Sequence, residues 1–132
     1  MTTTLTIRDE EMTGKTVNEF SLEFPTERIT VRELIRSRVF QEVKDHNAKQ
    51  NQAEFQGLVQ PTDAERTLNG FRLKKARQID WKQQFEKAVE AFENNQVLIL
   101  VNDYQTESLD ETIDIATDTS IAFLRLTLLV GG

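Results

Sequence analysis

Few side chains in this sequence could carry out chemistry. Cysteine is absent, which excludes a thiol nucleophile, a disulfide framework and a thiolate metal site. His46 is the only histidine, and without a second imidazole or a matched acid at ligand spacing it is predicted to be a surface residue. The acids Asp110, Glu111 and Asp114 lack a calcium-loop pattern and are better interpreted as a solvated face. The sequence therefore predicts no metal site, no cofactor and no enzymatic activity.

The Gly131-Gly132 pair at the end of the sequence has the clearest chemical potential. Glycine has no Cβ, so such an end is thin and flexible enough to enter a narrow channel. The reactive group would be the carboxylate of Gly132. The alternative is a plain flexible terminus. The residues just before the pair, Leu128-Leu129-Val130, are apolar.

Length and composition indicate an ordinary globular protein. The 132 residues, 38% apolar and 29% charged, suit a single domain spanning residues 1–132 with a core of its own. The formal charge of −6 disfavours nucleic acid and anionic membranes as partners. No stretch approaches the roughly 20 apolar residues of a membrane span, and the start lacks a secretory pattern. We expect a soluble, cytoplasmic protein.

Charge is unevenly distributed along the sequence. Every charged residue between Arg66 and Ile79 is basic, and every one between Ala88 and Leu124 is acidic. Two solvated faces would explain this, and so would a surface that steers a partner of opposite charge. Three members of the basic stretch are candidates for such a partner surface: Arg72, Lys74 and Lys75.

The first third predicts a hairpin followed by a helix. Alternating apolar residues predict strands over residues 4–10 and 17–24, and the turn between them contains Gly14. Thr30 with Glu33 forms a capping box that starts a helix running to about Lys44 or Ala48. The residues of its apolar face, spaced by three and four, are Val31, Leu34, Ile35, Val39 and Val43.

The middle is less regular. Residues 46–57 suit a frayed helix end or a loop, and Pro61 begins a short helix through Leu68. Asn69-Gly70 is a turn signal. Asp80 caps a clear helix whose Trp81 and Phe85 are most simply core residues, with an exposed aromatic anchor for a partner as the alternative.

Two strands are predicted in the last third. The apolar run 97–101 suits a strand that is buried on both faces. Residues 108–115 suggest a short helical turn packed on the core. Residues 120–130 form the last strand, which must return to lie beside the first, parallel to it.

The last third resembles ubiquitin. In SLDETIDIATDTSIAFLRLTLLVGG, Ser108-Leu109 open a short turn, Ile113 and Ile115 follow, and an apolar strand ends in Gly-Gly. The first third agrees, because TGKT (13–16) occupies the hairpin turn and ITVRELI stands where the family's helix begins.

The resemblance covers about residues 3–46 and 96–132. It implies an α+β fold, a ubiquitin-like β-grasp with a mixed sheet, enlarged by an insertion of about residues 46–95 that carries an extra helix. Functionally it implies a protein modifier. A dedicated adenylating enzyme would activate Gly132, and conjugating enzymes would attach it to target proteins through an isopeptide bond, with a tail-trimming peptidase as a further partner.

Two other functions stay open. The apolar tail departs from the basic residues that precede the glycines of ubiquitin, which suggests dedicated enzymes, and it is similar to small sulfur carriers that end in a thiocarboxylate. The chain could instead be a non-covalent binding or adaptor module.

Ubiquitin-like domains are usually recognised through an apolar patch on the outer face of the sheet. Here Phe123 and Ile121, with Arg125 beside them, are candidates for that patch. The alternative is that the inserted helix, Trp81 to Phe92, covers this face.

Overall fold

The computed structural model describes residues 2–49, 51–67 and 70–126. Within those residues, two helices and a mixed five-stranded sheet make this an α+β structure. No helix there is long and apolar enough to cross a membrane. The elements, in chain order, are β1 (Thr3–Glu10), β2 (Thr16–Phe24), β3 (Arg28–Thr30), α1 (Val31–Ala48), β4 (Glu54–Phe55), β5 (Ala64–Arg66), β6 (Phe71–Leu73), α2 (Trp81–Glu93), β7 (Val97–Val101), β8 (Tyr104–Gln105), β9 (Thr112–Asp114) and β10 (Ile121–Arg125).

The chain divides into two compact units. Unit 1 comprises Met1–Leu34 and Ala91–Gly132, and unit 2 comprises Ile35–Glu90. Unit 1 holds the five-stranded sheet and the pair β3–β9, whereas unit 2 holds the small sheet β4-β6-β5. Most of the segment predicted to be an insertion therefore lies in unit 2, together with α1 from Ile35 onward.

The five-stranded sheet of unit 1 has the order β2-β1-β10-β7-β8. β1 and β10 are parallel, with Ile7 opposite Ile121, and the other pairs are antiparallel. The predicted return of the last strand to the first is confirmed. The run 97–101 is less buried than predicted, because only Val97 and Ile99 are fully buried and the residues between and after them are half-buried.

The predicted first hairpin is confirmed. Its turn is held by two backbone hydrogen bonds, in which Glu11 N–H donates to Lys15 O at 2.9 Å and Gly14 N–H donates to Glu11 O at 2.8 Å. Gly14 has φ of +87°, a conformation that glycine adopts without steric cost. The strands that follow and precede this turn bury Leu5, Ile7, Leu22 and Phe24.

The capping box at the start of α1 is also confirmed. Glu33 N–H donates to Thr30 Oγ1 at 3.1 Å, and Thr30 N–H donates to Glu33 Oε1 at 3.2 Å. The next two N–H groups, of Val31 and Arg32, donate to backbone carbonyls of the loop at Leu109–Glu111. The first turn of the helix thus has partners for donors that would otherwise be unsatisfied. All five residues of the predicted apolar face are buried.

Residues 108–115 differ from the prediction. Only a turn forms at the start, where Glu111 N–H donates to Ser108 O at 3.3 Å, and Thr112–Asp114 is strand β9, paired with β3. Arg28 donates to Asp114 at 2.8 Å across this pair. That hydrogen bond, and then the charge of Asp114, raise the pKa of Arg28 above its ordinary value.

The predicted short helix after Pro61 is wrong. Asp63 has φ of +56°, which breaks a helix, and Ala64–Arg66 is strand β5, held by pairing with β6. Asn69 of the predicted turn lies outside the described residues, but Thr67 N–H does donate to Gly70 O at 2.9 Å. This segment is a strand because it pairs with the later strand β6, and local sequence does not show that pairing.

The second predicted helix is confirmed as α2. Asp80 caps it, since Lys82 N–H donates to Asp80 Oδ1 at 3.0 Å. The helix ends at Glu93, and Asn95 follows in the left-handed region with φ of +59°.

Removing the cap of α1 tests this account. Thr30→Ala should lower the free energy of unfolding by about 1 kcal/mol, because Glu33 N–H loses its acceptor. Thr30→Ser keeps the hydroxyl oxygen and should stay within about 0.5 kcal/mol of the parent. Urea denaturation of the three proteins measures both values, and equal losses for alanine and serine would show that the hydrogen bond is not the cause.

Candidate functional site

β10 is the strand that precedes the predicted reactive glycines in the sequence. Arg125 is opposite Val97 of β7, and Leu126 N–H donates to Gln96 O at 2.9 Å. β10 is thus anchored up to Leu126 between β1 and β7. Gly131-Gly132 and the apolar residues before them lie outside the described residues.

A cleft of about 450 Å³ opens in unit 1 beside this strand end. It is lined by Val97 and Leu98, which are opposite Arg125 and Leu124 of β10. Its other apolar lining residues are Phe92 and Leu109, and these two and Val97 are each less than a tenth exposed. The polar residues of the lining are Arg32, Glu93, Asn95, Gln105, Thr106, Glu107, Ser108 and Asp110.

The cleft has both polar and apolar lining residues, and several of the polar ones are hydrogen-bonded or ion-paired. Arg32 pairs with Asp110 at 3.5 Å, and the hydroxyl of Thr106 donates to Ile99 O at 2.9 Å. Its volume is in the range of small-ligand pockets. Its lining has no histidine, cysteine or lysine, and among the described residues no group of acids and histidine is placed to hold a metal ion.

The candidate outer patch on β10 is not exposed. Ile121 and Phe123 have no exposed surface, which contradicts the interpretation of an open apolar patch there. The reason is register: Ile121 is opposite Ile7 and Phe123 is opposite Ile99, both completely buried, and opposite residues of paired strands share a face. Arg125, the third candidate, is half-buried.

The basic candidates lie in unit 2. Arg72 on β6 is flanked by Glu54 and Glu65 of the neighbouring strands, and its guanidinium lies 3.2 Å from Glu54. Exposed pairs of this kind contribute little to stability, but here they offset the positive charge of Arg72. Lys74 and Lys75 follow β6 and are exposed. All three basic candidates are therefore exposed on unit 2. Arg72 is opposite two carboxylates, whereas Lys74 and Lys75 lie beyond the end of the strand.

The prediction that His46 lies on the surface is wrong. Its side chain is buried, with Nε2 3.0 Å from Arg77 O and the ring edge-on to Phe55 at 5.4 Å. Because a carbonyl only accepts, Nε2 carries the hydrogen. Next to it, Asn47 donates to Ile79 O at 3.0 Å and accepts from Ile79 N–H at 2.8 Å. His46 is thus a structural residue that holds the segment before α2.

Another buried polar pair lies one turn earlier on α1. Arg38 Nε donates to Glu42 Oε1 at 2.5 Å, with side-chain exposures of 2% and 13%. The other oxygen of Glu42 accepts from Leu58 N–H at 3.1 Å. A Cβ on Gly57 would lie 2.2 Å from a ring carbon of Phe55. Close packing therefore requires glycine beside the carboxylate.

An aromatic surface on unit 2 joins α1 and α2. Phe40 and Trp81 meet edge to face, with centroids 5.5 Å apart, and Phe85 is tilted against Trp81 at 6.4 Å. The guanidinium of Arg36 lies 5.6 Å from the centre of the Trp81 ring, within the range of a cation–π contact. We call these four residues the aromatic surface. Trp81 and Phe85 are half-buried, which fits neither a full core role nor a fully exposed anchor.

Arg36 and Phe40 are not among the candidate partner-binding residues predicted from the sequence. A signal was available, since they are four residues apart and both lie off the stripe that contains Val39 and Val43. An apolar residue that lies outside the core-facing apolar stripe of a helix is expected to be exposed. Phe40 is indeed 45% exposed.

No family model, no curated protein and no solved structure gives a significant match to this chain. The function of this chain is therefore inferred from its own residues.

The carboxylate of Glu42, which is mostly covered, gives a sharp test of unit 2. Glu42→Ala should lower the free energy of unfolding by about 3 kcal/mol, because it removes the carboxylate that pairs with the buried guanidinium of Arg38 and the acceptor of Leu58 N–H. Glu42→Gln keeps an oxygen for Leu58 and should lose less. Glu86→Ala, on the exposed side of α2, should change stability by no more than about 0.5 kcal/mol.

Chemical denaturation followed by Trp81 fluorescence measures all three variants. A loss for Glu42→Ala as small as that for Glu86→Ala would contradict the role given to this carboxylate.

Proposed function

We propose that this chain is a ubiquitin-like protein modifier that is activated at the carboxylate of Gly132 and attached to lysines of target proteins. The single observation that supports it most is the order β2-β1-β10-β7 with β1 and β10 parallel, together with a hairpin that leads into α1. That order is the one expected of a β-grasp fold, and it supports the proposal. It places the strand that leads to Gly131-Gly132 at the centre of the sheet.

The chemistry belongs to the tail and to partner enzymes. A carboxylate oxygen of Gly132 attacks the α-phosphorus of ATP, and pyrophosphate leaves. A cysteine thiolate of an adenylating enzyme then attacks the carbonyl carbon, AMP leaves, and a thioester forms. A target lysine, as the free amine, displaces the thiolate and gives an isopeptide bond. A trimming peptidase would act before these steps wherever residues follow Gly132.

The sequence of the tail bears on which enzymes act. Leu128-Leu129-Val130 offers no cation to a partner, whereas a tail with basic residues can be read by carboxylates. Enzymes for this tail would therefore need an apolar groove. Sulfur carriage is the related alternative, in which a thiocarboxylate replaces the carboxylate of Gly132.

Mass spectrometry can test conjugation directly. Arg125 is the last basic residue, so trypsin should leave the seven-residue remnant Leu126–Gly132 on each modified lysine, not a Gly-Gly remnant. An N-terminally tagged chain, expressed in its own cells and purified under denaturing conditions, should carry covalent adducts with this branched peptide. An intact terminus with sulfur in place of one oxygen would indicate sulfur carriage instead.

Two variants complete the experiment. Deletion of Gly131-Gly132 should abolish every adduct, because the tail then lacks the residues that enter the activating site. Lys74→Ala with Lys75→Ala, which alters exposed residues of unit 2, should leave the adducts in place. Free protein alone, in cells that contain a matching adenylating enzyme, would refute the proposal.

A non-covalent binding module is the second candidate, favoured by the exposed aromatic surface of unit 2. On this alternative, the deletion of Gly131-Gly132 leaves function intact, while changes at Arg72, Lys74 or Lys75 damage it. The two sets of variants therefore separate the candidates.

A further inference from the structure

Three large apolar side chains of the described residues are strongly exposed. Met12 is 51% exposed, Phe40 45% and Tyr104 58%. Phe40 belongs to the aromatic surface of unit 2. Met12 and Tyr104 lie in unit 1, in the β1–β2 turn and in the β7–β8 hairpin. The exposed apolar groups thus occur as one surface on unit 2 and two protruding turns on unit 1.

The two units carry opposite net charge. Unit 1 has 5 basic and 14 acidic residues, a net charge of −9, and unit 2 has 11 basic and 8 acidic residues, a net charge of +3. Within the aromatic surface, Arg36 stacks on Trp81, and it has no ion pair to a described carboxylate. Exposed Lys82 adjoins Trp81 in α2. An acidic segment with an apolar anchor is the chemical complement of this surface.

The β1–β2 turn of unit 1 has that chemistry. Glu11 precedes exposed Met12, and its carboxylate makes only a long hydrogen bond, 3.5 Å, from Thr13. Glu10, by contrast, is paired with Arg8 at 3.1 Å. The two backbone hydrogen bonds of the turn fix its shape, so little conformational freedom would be lost on binding.

The side chain of Met12 suits an aromatic site. A thioether is flexible and polarisable, and it makes favourable contacts with aromatic rings. Lys15 is the one cation of the turn, and exposed Glu86 beside Phe85 is an acid on the receiving side. The turn and the aromatic surface therefore each carry both an acidic and a basic residue. The β7–β8 hairpin has a single acid, Asp103, before its exposed aromatic residue, and it is the weaker match.

We infer that the aromatic surface of one molecule binds the β1–β2 turn of a second copy of this chain. Met12 of one copy packs on Trp81 and Phe40 of the other, and the carboxylate of Glu11 pairs with the guanidinium of Arg36. The contact joins two different parts of the molecule, so it is heterologous. Each copy keeps one free surface and one free turn, and association continues beyond a dimer. The inference does not depend on Gly132.

Sedimentation velocity tests the association in purified full-length protein. Because one turn on one surface is a small interface, binding is weak, and concentrations up to about 1 mM are needed. The weight-average sedimentation coefficient should rise with concentration. It should rise less in about 0.5 M salt, which screens the Glu11–Arg36 pair. Trp81 is the only tryptophan, so its emission should shift over the same range.

Complementary variants identify the two halves of the contact. Phe40→Ser removes part of the surface and keeps the turn, whereas Met12→Ser removes the anchor and keeps the surface. Each alone should sediment as a monomer, and an equimolar mixture should form a heterodimer and nothing larger. Tyr104→Ser, which removes an equally exposed side chain from the other hairpin, should associate like the parent. Circular dichroism verifies that each variant folds.

Other outcomes overturn the inference. A parent protein that stays monomeric over the whole range would show that the surface binds no second copy, which leaves a different acidic partner. Association that is lost with Phe40→Ser but not restored by mixing would indicate a symmetric contact between two aromatic surfaces. Loss with Tyr104→Ser but not with Met12→Ser would assign the contact to the other hairpin.

Discussion

The parallel register of β10 against β1 is the constraint on which unit 1 depends. A parallel pair cannot be closed by a tight turn, so the strands of this one come from opposite ends of the described chain. Once Ile7 is opposite Ile121, the alternation of side chains determines which residues of β10 are buried. A shift by one residue would expose Phe123 and bury Leu124 in its place. The same register fixes the position of Leu126, the last described residue before the tail.

Unit 2 depends on a different constraint, which is that buried backbone groups need hydrogen-bond partners. Its chain between the helices has only short strands, so side chains supply what regular structure does not. Glu42, His46 and Asn47 on α1 bond to backbone groups of Leu58, Arg77 and Ile79. On α2, buried Gln84 donates to Val59 O at 3.0 Å. Polar side chains of the two helices therefore hold the chain between the helices through hydrogen bonds to its backbone.

Local signals predicted the elements that local interactions form. The capping box at Thr30 and Glu33, the Gly14 turn and the Asp80 cap each act within a few residues, and all three are present. Which side of β10 is buried could not be predicted from local signals. Ile121 and Phe123 alternate with residues that are also apolar, so either side could face a core. The same limit applies to His46, whose partners lie 31 residues away in the case of Arg77. The residue types of the candidate patch on β10 could be listed from the sequence, but whether those residues are exposed depended on strand pairing.

The burial of Phe123 changes where a partner could find apolar surface. With both Ile121 and Phe123 inside, the described part of unit 1 offers a partner its cleft, its turns and a strongly negative surface. Tyr104 is exposed in unit 1, but it is on unit 2, where the net charge is positive, that three aromatic rings lie together, those of Phe40, Trp81 and Phe85. On the proposed function, enzymes that bind the tail would contact unit 1, whose net charge is negative, so a basic contact surface would suit them. A partner of the aromatic surface needs acidic residues and an apolar anchor. On these two proposals, the two kinds of partner would need contact surfaces of opposite charge, which would keep their binding separate.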